Sequence, residues 1–259
     1  MAIKIKNAKQ IEGIRRSSQL AAKCLKHLEQ FVKPGTTTKE LDTIASEFMK
    51  EHGATSATIG YQGHGAPPFS GHICTSVNDV ICHGVPNEYS LKDGDILNID
   101  VTTVLDGYYG DTCRMYEVGT ISEEARHLID VTKECLKLGI KECYPGSRFG
   151  NIGYAISEYA HSEGLSVVYE FCGHGVGLKF HEDPEVSHIS QQNTGKRMRP
   201  GMIFTIEPMI NTGKARCKID KADGWTARTI DGGLSAQFEH TILITEDGCE
   251  ALTDVYGEY

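Results

Sequence analysis

Gly94-Asp95-Ile96-Leu97-Asn98-Ile99-Asp100 and Gly201-Met202-Ile203-Phe204-Thr205-Ile206-Glu207 are the two stretches on which the fold turns. Each opens on glycine, runs through apolar and β-branched residues, and reaches a carboxylate. Such runs read as strands, here expected to be closed by their acids. After each comes a turn and a second strand with an acid at its start. Asp111 opens Asp111-Thr112-Cys113-Arg114-Met115-Tyr116, and Glu239 opens Glu239-His240-Thr241-Ile242-Leu243-Ile244. Each half of the chain therefore supplies two carboxylates from neighbouring strands.

Working outward, each strand pair is preceded by two amphipathic helical patterns. Residues 7–31 place Ile11, Ile14, Ser18, Ala21, Leu25 and Leu28 on one face, and residues 37–52 do the same with Leu41, Ile44, Ala45 and Phe48. Thr37 and Glu40 have the spacing of a capping box. Residues 122–142 and 149–163 predict a second helix pair. Pro34-Gly35-Thr36 matches Pro145-Gly146-Ser147 at an offset of 111, and Ser46-Glu47 and Gly53 match Ser157-Glu158 and Gly164 at the same offset. The reading is a duplicated α/β (α+β) unit with a pseudo-twofold relation. Its halves, about residues 1–118 and 119–259, face each other across a central, mainly antiparallel sheet covered by helices. No Pro/Ser-rich linker divides them, so a single domain over 1–259 is expected.

Composition narrows the functional class. Hydrophobic residues make up 39% and charged residues 24%, the balance of a soluble globular protein. The net charge of -9 argues against a specific nucleic-acid binder, which needs a basic surface. No apolar run reaches the length of a membrane span, and the alternating start lacks a secretory signal core. The nine cysteines are odd in number and form no Cys-x-x-Cys, so a reducing cytoplasmic setting is expected rather than a disulfide framework or zinc ribbon.

Four carboxylates converging on one site repel one another unless something positive lies between them. Divalent ions remove that conflict, and carboxylates with one imidazole suit manganese, iron, cobalt or zinc. The imidazole candidate is His174 in Phe171-Cys172-Gly173-His174-Gly175-Val176-Gly177, where flanking glycines let the backbone approach closely. His181 lies seven residues on, and His83 sits in Cys82-His83-Gly84-Val85-Pro86. His188, like several other histidines, has no such context. There is no His-Glu-x-x-His, no Gly-x-Ser-x-Gly and no Walker loop.

These motifs, in order, carry a resemblance. Cys74-Thr75-Ser76-Val77-Asn78, Cys82-His83-Gly84-Val85-Pro86, Gly94 to Val101, Gly107-Tyr108-Tyr109-Gly110-Asp111, Gly173 to Gly177, His181-Glu182-Asp183-Pro184, Thr205-Ile206-Glu207-Pro208 and Ser235 to Thr241 resemble those of the type I methionine aminopeptidases, in their short bacterial-like form. The resemblance implies the pita-bread fold and two divalent ions (cobalt, manganese, iron or zinc) held by Asp100, Asp111, His174, Glu207 and Glu239. It implies His83, His181 and Glu207 as catalytic residues, and Tyr61, Cys74, His83, Phe180, His181 and Trp225 as substrate-binding residues. A monovalent cation near Asn78, Val80 and Ser235 is implied as well. The expected activity is removal of the initiator methionine when the second residue is small. Its partners would be nascent N-termini near the ribosome, met by a monomer. A proline-specific pita-bread peptidase and a non-catalytic pita-bread binding protein are the alternatives. One stretch departs from the family pattern: Gln62 to Ile73 is several residues longer, and Phe69 and His64 compete as the second aromatic of the pocket.

Overall fold

Local sequence sets the helices of the computed structural model, which describes residues 3–63 and 65–257. Helix α1 (Ala8–Leu28) starts at Asn7, whose side chain accepts from the Gln10 N–H while Gln10 accepts from the Asn7 N–H, and it runs on into a 3-10 turn over Glu29–Phe31. Helix α2 (Thr38–Glu51) starts at the expected capping box: the Glu40 N–H donates to Thr37 Oγ1 at 3.1 Å, and the Thr37 N–H donates to the Glu40 carboxylate at 2.7 Å. Helices α3 (Glu123–Lys141) and α4 (Phe149–Ser162) form the second pair.

The first half contributes strands β1 (Thr55–Ser56), β2 (Cys74–Val77), β3 (Val80–Cys82), β4 (Ile96–Leu105) and β5 (Tyr108–Glu117). The second contributes β6 (Ser166–Val167), β7 (Gly173–Gly175), β8 (Glu182–Val186), β9 (Ile203–Ile206), β10 (Met209–Asn211), β11 (Cys217–Ile219), β12 (Ala227–Thr229), β13 (Ser235–Gln237), β14 (His240–Ile244) and β15 (Cys249–Ala251). Every ladder among the described residues is antiparallel.

The sequence repeat is a repeat in space. Gly35 and Gly146 both enter the left-handed region, at φ 95° and 89°, and so do Gly53 and Gly164, at φ 71° and 76°. The Gly35 N–H donates to Leu91 O and the Gly146 N–H to Met198 O. Isolated bridges join Thr37 to Ser90 and Arg148 to Arg197. Strand β1 pairs with β4 as β6 pairs with β10.

Period-2 alternation sorts the strand side chains. Leu97, Ile99 and Val101 of β4 pack with Leu25, Leu28, Leu41 and Met49 of the first helix pair. Phe204, Ile206, Ile242 and Ile244 pack with Leu128, Leu136, Ile152 and Ile156 of the second. The opposite faces, which carry the acids, are left for the interior between the halves.

Two expectations are corrected. Asp100 does not close its strand and Asp111 does not open its own: both lie in the interior of ten-residue strands. The β-branched run continues through Val101–Leu105 before a tight hairpin turn at Asp106-Gly107, where φ is 52° and 80°. The halves join where β5 meets β14. The Glu239 N–H donates to Cys113 O at 3.1 Å, Thr112 Oγ1 donates to Glu239 O, and Thr241 Oγ1 donates to Asp111 O, both at 2.7 Å. Each threonine thus holds the backbone of the other half's acid.

Candidate metal centre and substrate pocket

Register places the first half's acids together. Residues directly opposite in an antiparallel pair share a face. Cys74 and Cys113 both oppose Asp100, and Asp111 opposes Thr102, two residues along β4. All five side chains therefore point to the inner face. Thr102 Oγ1 donates to Asp111 Oδ1 at 2.7 Å, whereas Asp100 Oδ1 is buried without a hydrogen-bond partner.

The second half adds two acids and the imidazole. Strand β9 ends at Ile206 because Pro208 has no N–H to continue a ladder. Glu207 sits in that break, its N–H donating to His188 Nε2 at 3.1 Å. Thr205 Oγ1 donates to Glu207 Oε1 at 2.7 Å, and Gln237 Nε2 donates to Oε2 at 3.2 Å. Glu239 occupies the short break between β13 and β14, buried. His174 lies at the centre of β7. A Cβ on Gly173 would collide with Thr205 O, and one on Gly175 with Asp183 O, so both glycines are needed for β7 to fit between its neighbours. His174 Nδ1 faces Gly175 O at 3.0 Å. That contact fixes the proton on Nδ1 and leaves the Nε2 lone pair free. Nε2 lies 3.6 Å from both Asp111 Oδ2 and Glu207 Oε1. One donor atom each from Asp111, His174 and Glu239 lie within 4.8 Å of one another.

Burial dominates the electrostatics. It raises the Asp111 carboxyl to about 7 and that of Glu207 to about 8, and neighbouring Asp111 adds to the Glu207 shift. Burial followed by acid–acid repulsion lifts Asp100 and Glu239 well above the carboxylate range. The same burial depresses His174 to about 4, keeping it neutral. An all-ionised cluster is thus unfavourable on its own. Two buried acids, Asp111 and Glu239, two partly buried ones, Asp100 and Glu207, an orphaned carboxylate oxygen and an imidazole with its lone pair aimed inward form a donor set that fits divalent cations.

An aromatic cleft of about 560 Å³, lined by Tyr61, Tyr109, Phe180 and His181, adjoins the cluster. The His181 ring lies 4.2 Å from that of His174 and 4.1 Å from that of Phe180, and Phe180 meets Tyr61 edge-on at 5.1 Å. Glu182 steadies this loop by accepting the Leu178 N–H and pairing with buried Lys6 at 3.3 Å. Trp225 and His83 do not line that cleft; the Trp225 ring lies 6.1 Å from that of Tyr61 and 6.2 Å from that of His83. His83 takes a left-handed backbone, φ 56°, and packs edge-on against Phe171. Cys74 is buried in register with Asp100, and burial raises its thiol well above the ordinary range. Phe69 is 3% exposed and meets Trp225 edge-on at 5.5 Å, while His64 lies outside the described residues. At the suggested monovalent site, the Asn78 side chain is engaged by Asp95 and the Ile96 N–H, and Asn78 O accepts the Ser235 N–H. Ser235 Oγ is buried without a hydrogen-bond partner, and Val80 lies in the nearby β3.

Sequence reasoning passed over the residues that aim the ligands. Thr205 serves two of them at once, accepting the His174 N–H at 2.9 Å while donating to Glu207. Thr102 and Gln237 support one acid each. His188, set aside as background, is 1% exposed, and burial lowers its pKa to about 3, so its neutral ring can accept from the Glu207 backbone. The period-2 position of a hydroxyl beside each acid, Thr102 with Asp100 and Thr205 with Glu207, was the available signal.

Comparison with known proteins agrees with this geometry. Residues 12–246 match Metallopeptidase family M24. The chain is 50% identical to methionine aminopeptidase B of Synechocystis over 95% of its own length and 90% of the relative's. The crystal structure of methionine aminopeptidase from Rickettsia prowazekii superposes with a TM-score of 0.94 at 45% identity, covering 97% of this chain and 100% of that one. Prolidase from Pyrococcus furiosus shares the fold at a TM-score of 0.75, with 22% identity over 97% of this chain and 65% of the prolidase. With Asp111, His174 and Glu239 drawn together beside Glu207, the chain belongs to metallopeptidase family M24, on its methionine aminopeptidase branch.

Proposed function

We propose that Asp100, Asp111, His174, Glu207 and Glu239 hold two divalent ions, and that the adjoining aromatic cleft seats the first residue of a peptide. The activity is metal-dependent removal of N-terminal methionine, in keeping with the relatives. The observation that carries it is the approach of Asp111, Glu207 and Glu239 around the free Nε2 of His174, beside a wall of rings. When bound, the ions supply Lewis-acid polarisation and an activated water.

The chain's own residues do the rest. Glu207, held by Thr205 and Gln237, carries a proton from water to the leaving amine. His181 stabilises charge developing on the carbonyl oxygen, and His83 hydrogen-bonds the scissile amide. Tyr61, Cys74, Phe180 and Trp225 receive the unbranched, polarizable methionine side chain. A small second residue fits the crowded space beyond. Both halves supply ligands, so residues 1–259 act as one catalytic unit. Manganese, cobalt, iron and zinc all suit the donor set. The family resemblance supports a monomer acting in the cytoplasm on newly made chains, and Asn78, Val80 and Ser235 offer oxygens for a monovalent cation.

Mass spectrometry of Met-Ala-Ser incubated with manganese-loaded protein is expected to show released methionine. Release should stop with chelator, and Ala-Pro-Ser should stay intact. Cleavage of Ala-Pro-Ser alone would move the chain to the proline-specific branch.

A further inference from the structure

The longer stretch after Tyr61 folds into a strap across two of the pocket rings. Its base is closed by the Gly60 N–H donating to Phe69 O at 2.8 Å and the Phe69 N–H donating to Tyr61 O at 2.9 Å. Its far side is fastened to another part of the chain: Trp225 Nε1–H donates to Pro67 O at 2.7 Å. Pro67 packs on Gly224, where an added Cβ would lie 3.1 Å from the proline ring. At Gly63 an added Cβ would lie 3.2 Å from the Tyr61 ring and 3.6 Å from that of Trp225. Gly63 and Pro67 therefore border the two aromatic side chains, and Phe69 props Trp225 edge-on.

We propose that this strap, through the Trp225–Pro67 hydrogen bond, fixes the orientation of the indole and so sets the shape of the slot that receives the first residue. The strap is then a determinant of methionine selectivity, a claim that rests on the slot between Tyr61 and Trp225 being the methionine pocket. The Trp225 N–H lies at an exposed edge of the ring, so Pro67 O holds the ring plane in competition with water, aided by the edge-on contact with Phe69. With the plane fixed, the Tyr61–Trp225 wall admits an unbranched side chain and crowds a branched one. Hydrophobic pockets discriminate one methylene by about tenfold or more when their walls are firm. Releasing the strap lets Trp225 turn toward water and the slot widen.

Trp225 is the chain's single tryptophan, so intrinsic fluorescence reports on this contact alone. Two variants of the manganese-loaded protein test the idea: deletion of residues 63–66, and Gly63→Val, whose side chain pushes against Tyr61 and Trp225. Each is read by emission maximum, by acrylamide quenching, and by kcat/KM on Met-Ala-Ser against Leu-Ala-Ser. The expected result is red-shifted, more quenchable emission together with a methionine-over-leucine preference narrowed by about tenfold. Unchanged emission overturns the tether, and an unchanged preference overturns the role in selectivity. Should the deletion variant fail to fold by circular dichroism, Gly63→Val decides on the same readouts. A wild-type protein that releases no methionine removes the function beneath the claim, and emission still decides whether the strap holds the indole.

Discussion

The two halves of the chain share a backbone plan but divide the chemistry unequally. In the first, Asp100 and Asp111 stand in the interior of long paired strands, fixed mainly by register, with one hydroxyl, Thr102, on the Asp111 side chain. In the second, Glu207 and Glu239 occupy breaks next to short strands; Thr205 and Gln237 donate to the Glu207 carboxylate, and the Glu207 N–H donates to His188. Only the second half supplies an imidazole. A ladder fixes a side chain that has one task. A break, with partners on its backbone and both oxygens, suits a carboxylate that both binds cations and handles protons. The duplication thus gives a symmetric frame whose strand ends differ between the halves.

The largest effect should separate these roles. Glu207→Gln is expected to lower kcat on Met-Ala-Ser by about 10²–10⁴-fold, because the amide cannot carry the proton. Asp100→Asn should instead reduce bound metal, measured by atomic absorption after dialysis. Equal metal loss in both variants would erase the distinction.

Metal removal comes next. Between pH 6.5 and 8.5, unfolded carboxylates are ionised, whereas the folded, metal-free cluster keeps protons until about 7 at Asp111 and about 8 at Glu207. The unfolded state binds fewer protons, so the stability of the metal-free protein falls as pH rises through these values. His174, depressed to about 4, is neutral in the folded state throughout this window. Bound cations remove the penalty. The gap in Tm between manganese-loaded and chelated protein should therefore widen from pH 6.5 to 8.5. At a hundredfold excess of free metal over Kd it corresponds to about 2.7 kcal/mol. A gap that shrinks with pH would contradict the buried-acid cluster.

A smaller effect tests the support around the second half's ligands. Thr205→Val keeps shape but removes the hydroxyl shared by His174 and Glu207, and should cost about 10–100-fold in metal affinity or activity. The smallest compares matched helix starts. Thr37 caps α2, but Arg148, at the equivalent start of α4, makes no side-chain cap. Thr37→Ala should cost about 1 kcal/mol in urea unfolding, with Arg148→Ala costing less.

Much of this was legible before any coordinates. Helix stripes and the Thr37–Glu40 box are local, and they appear within a residue or two of the expected bounds. The matched glycines mark positive φ, which few other residues tolerate, so the repeat survived in sequence. The four acids stood out through the strand repeat and His174 through its flanking glycines; in the structure donor atoms of Asp111, His174 and Glu239 lie within 4.8 Å of one another, with Glu207 3.6 Å from His174. What stayed hidden depends on long-range pairing. The extent of β4 and β5 follows from their mutual register, and local sequence around Asp100 looks like a strand end. The Thr102–Asp111, Gln237 and His188 contacts join residues distant in the chain, and only the period-2 placing of Thr205 beside Glu207 could be read locally. The strap after Tyr61 is tied to a residue far along the chain, and no local signal announces such a bond.

Crystals soaked in manganese and measured for anomalous scattering test the central claim most directly. Two peaks are expected among the carboxylates of Asp100, Asp111, Glu207 and Glu239, with His174 Nε2 bound to one of them. Full manganese occupancy elsewhere, with those five side chains left uncoordinated, would contradict the account.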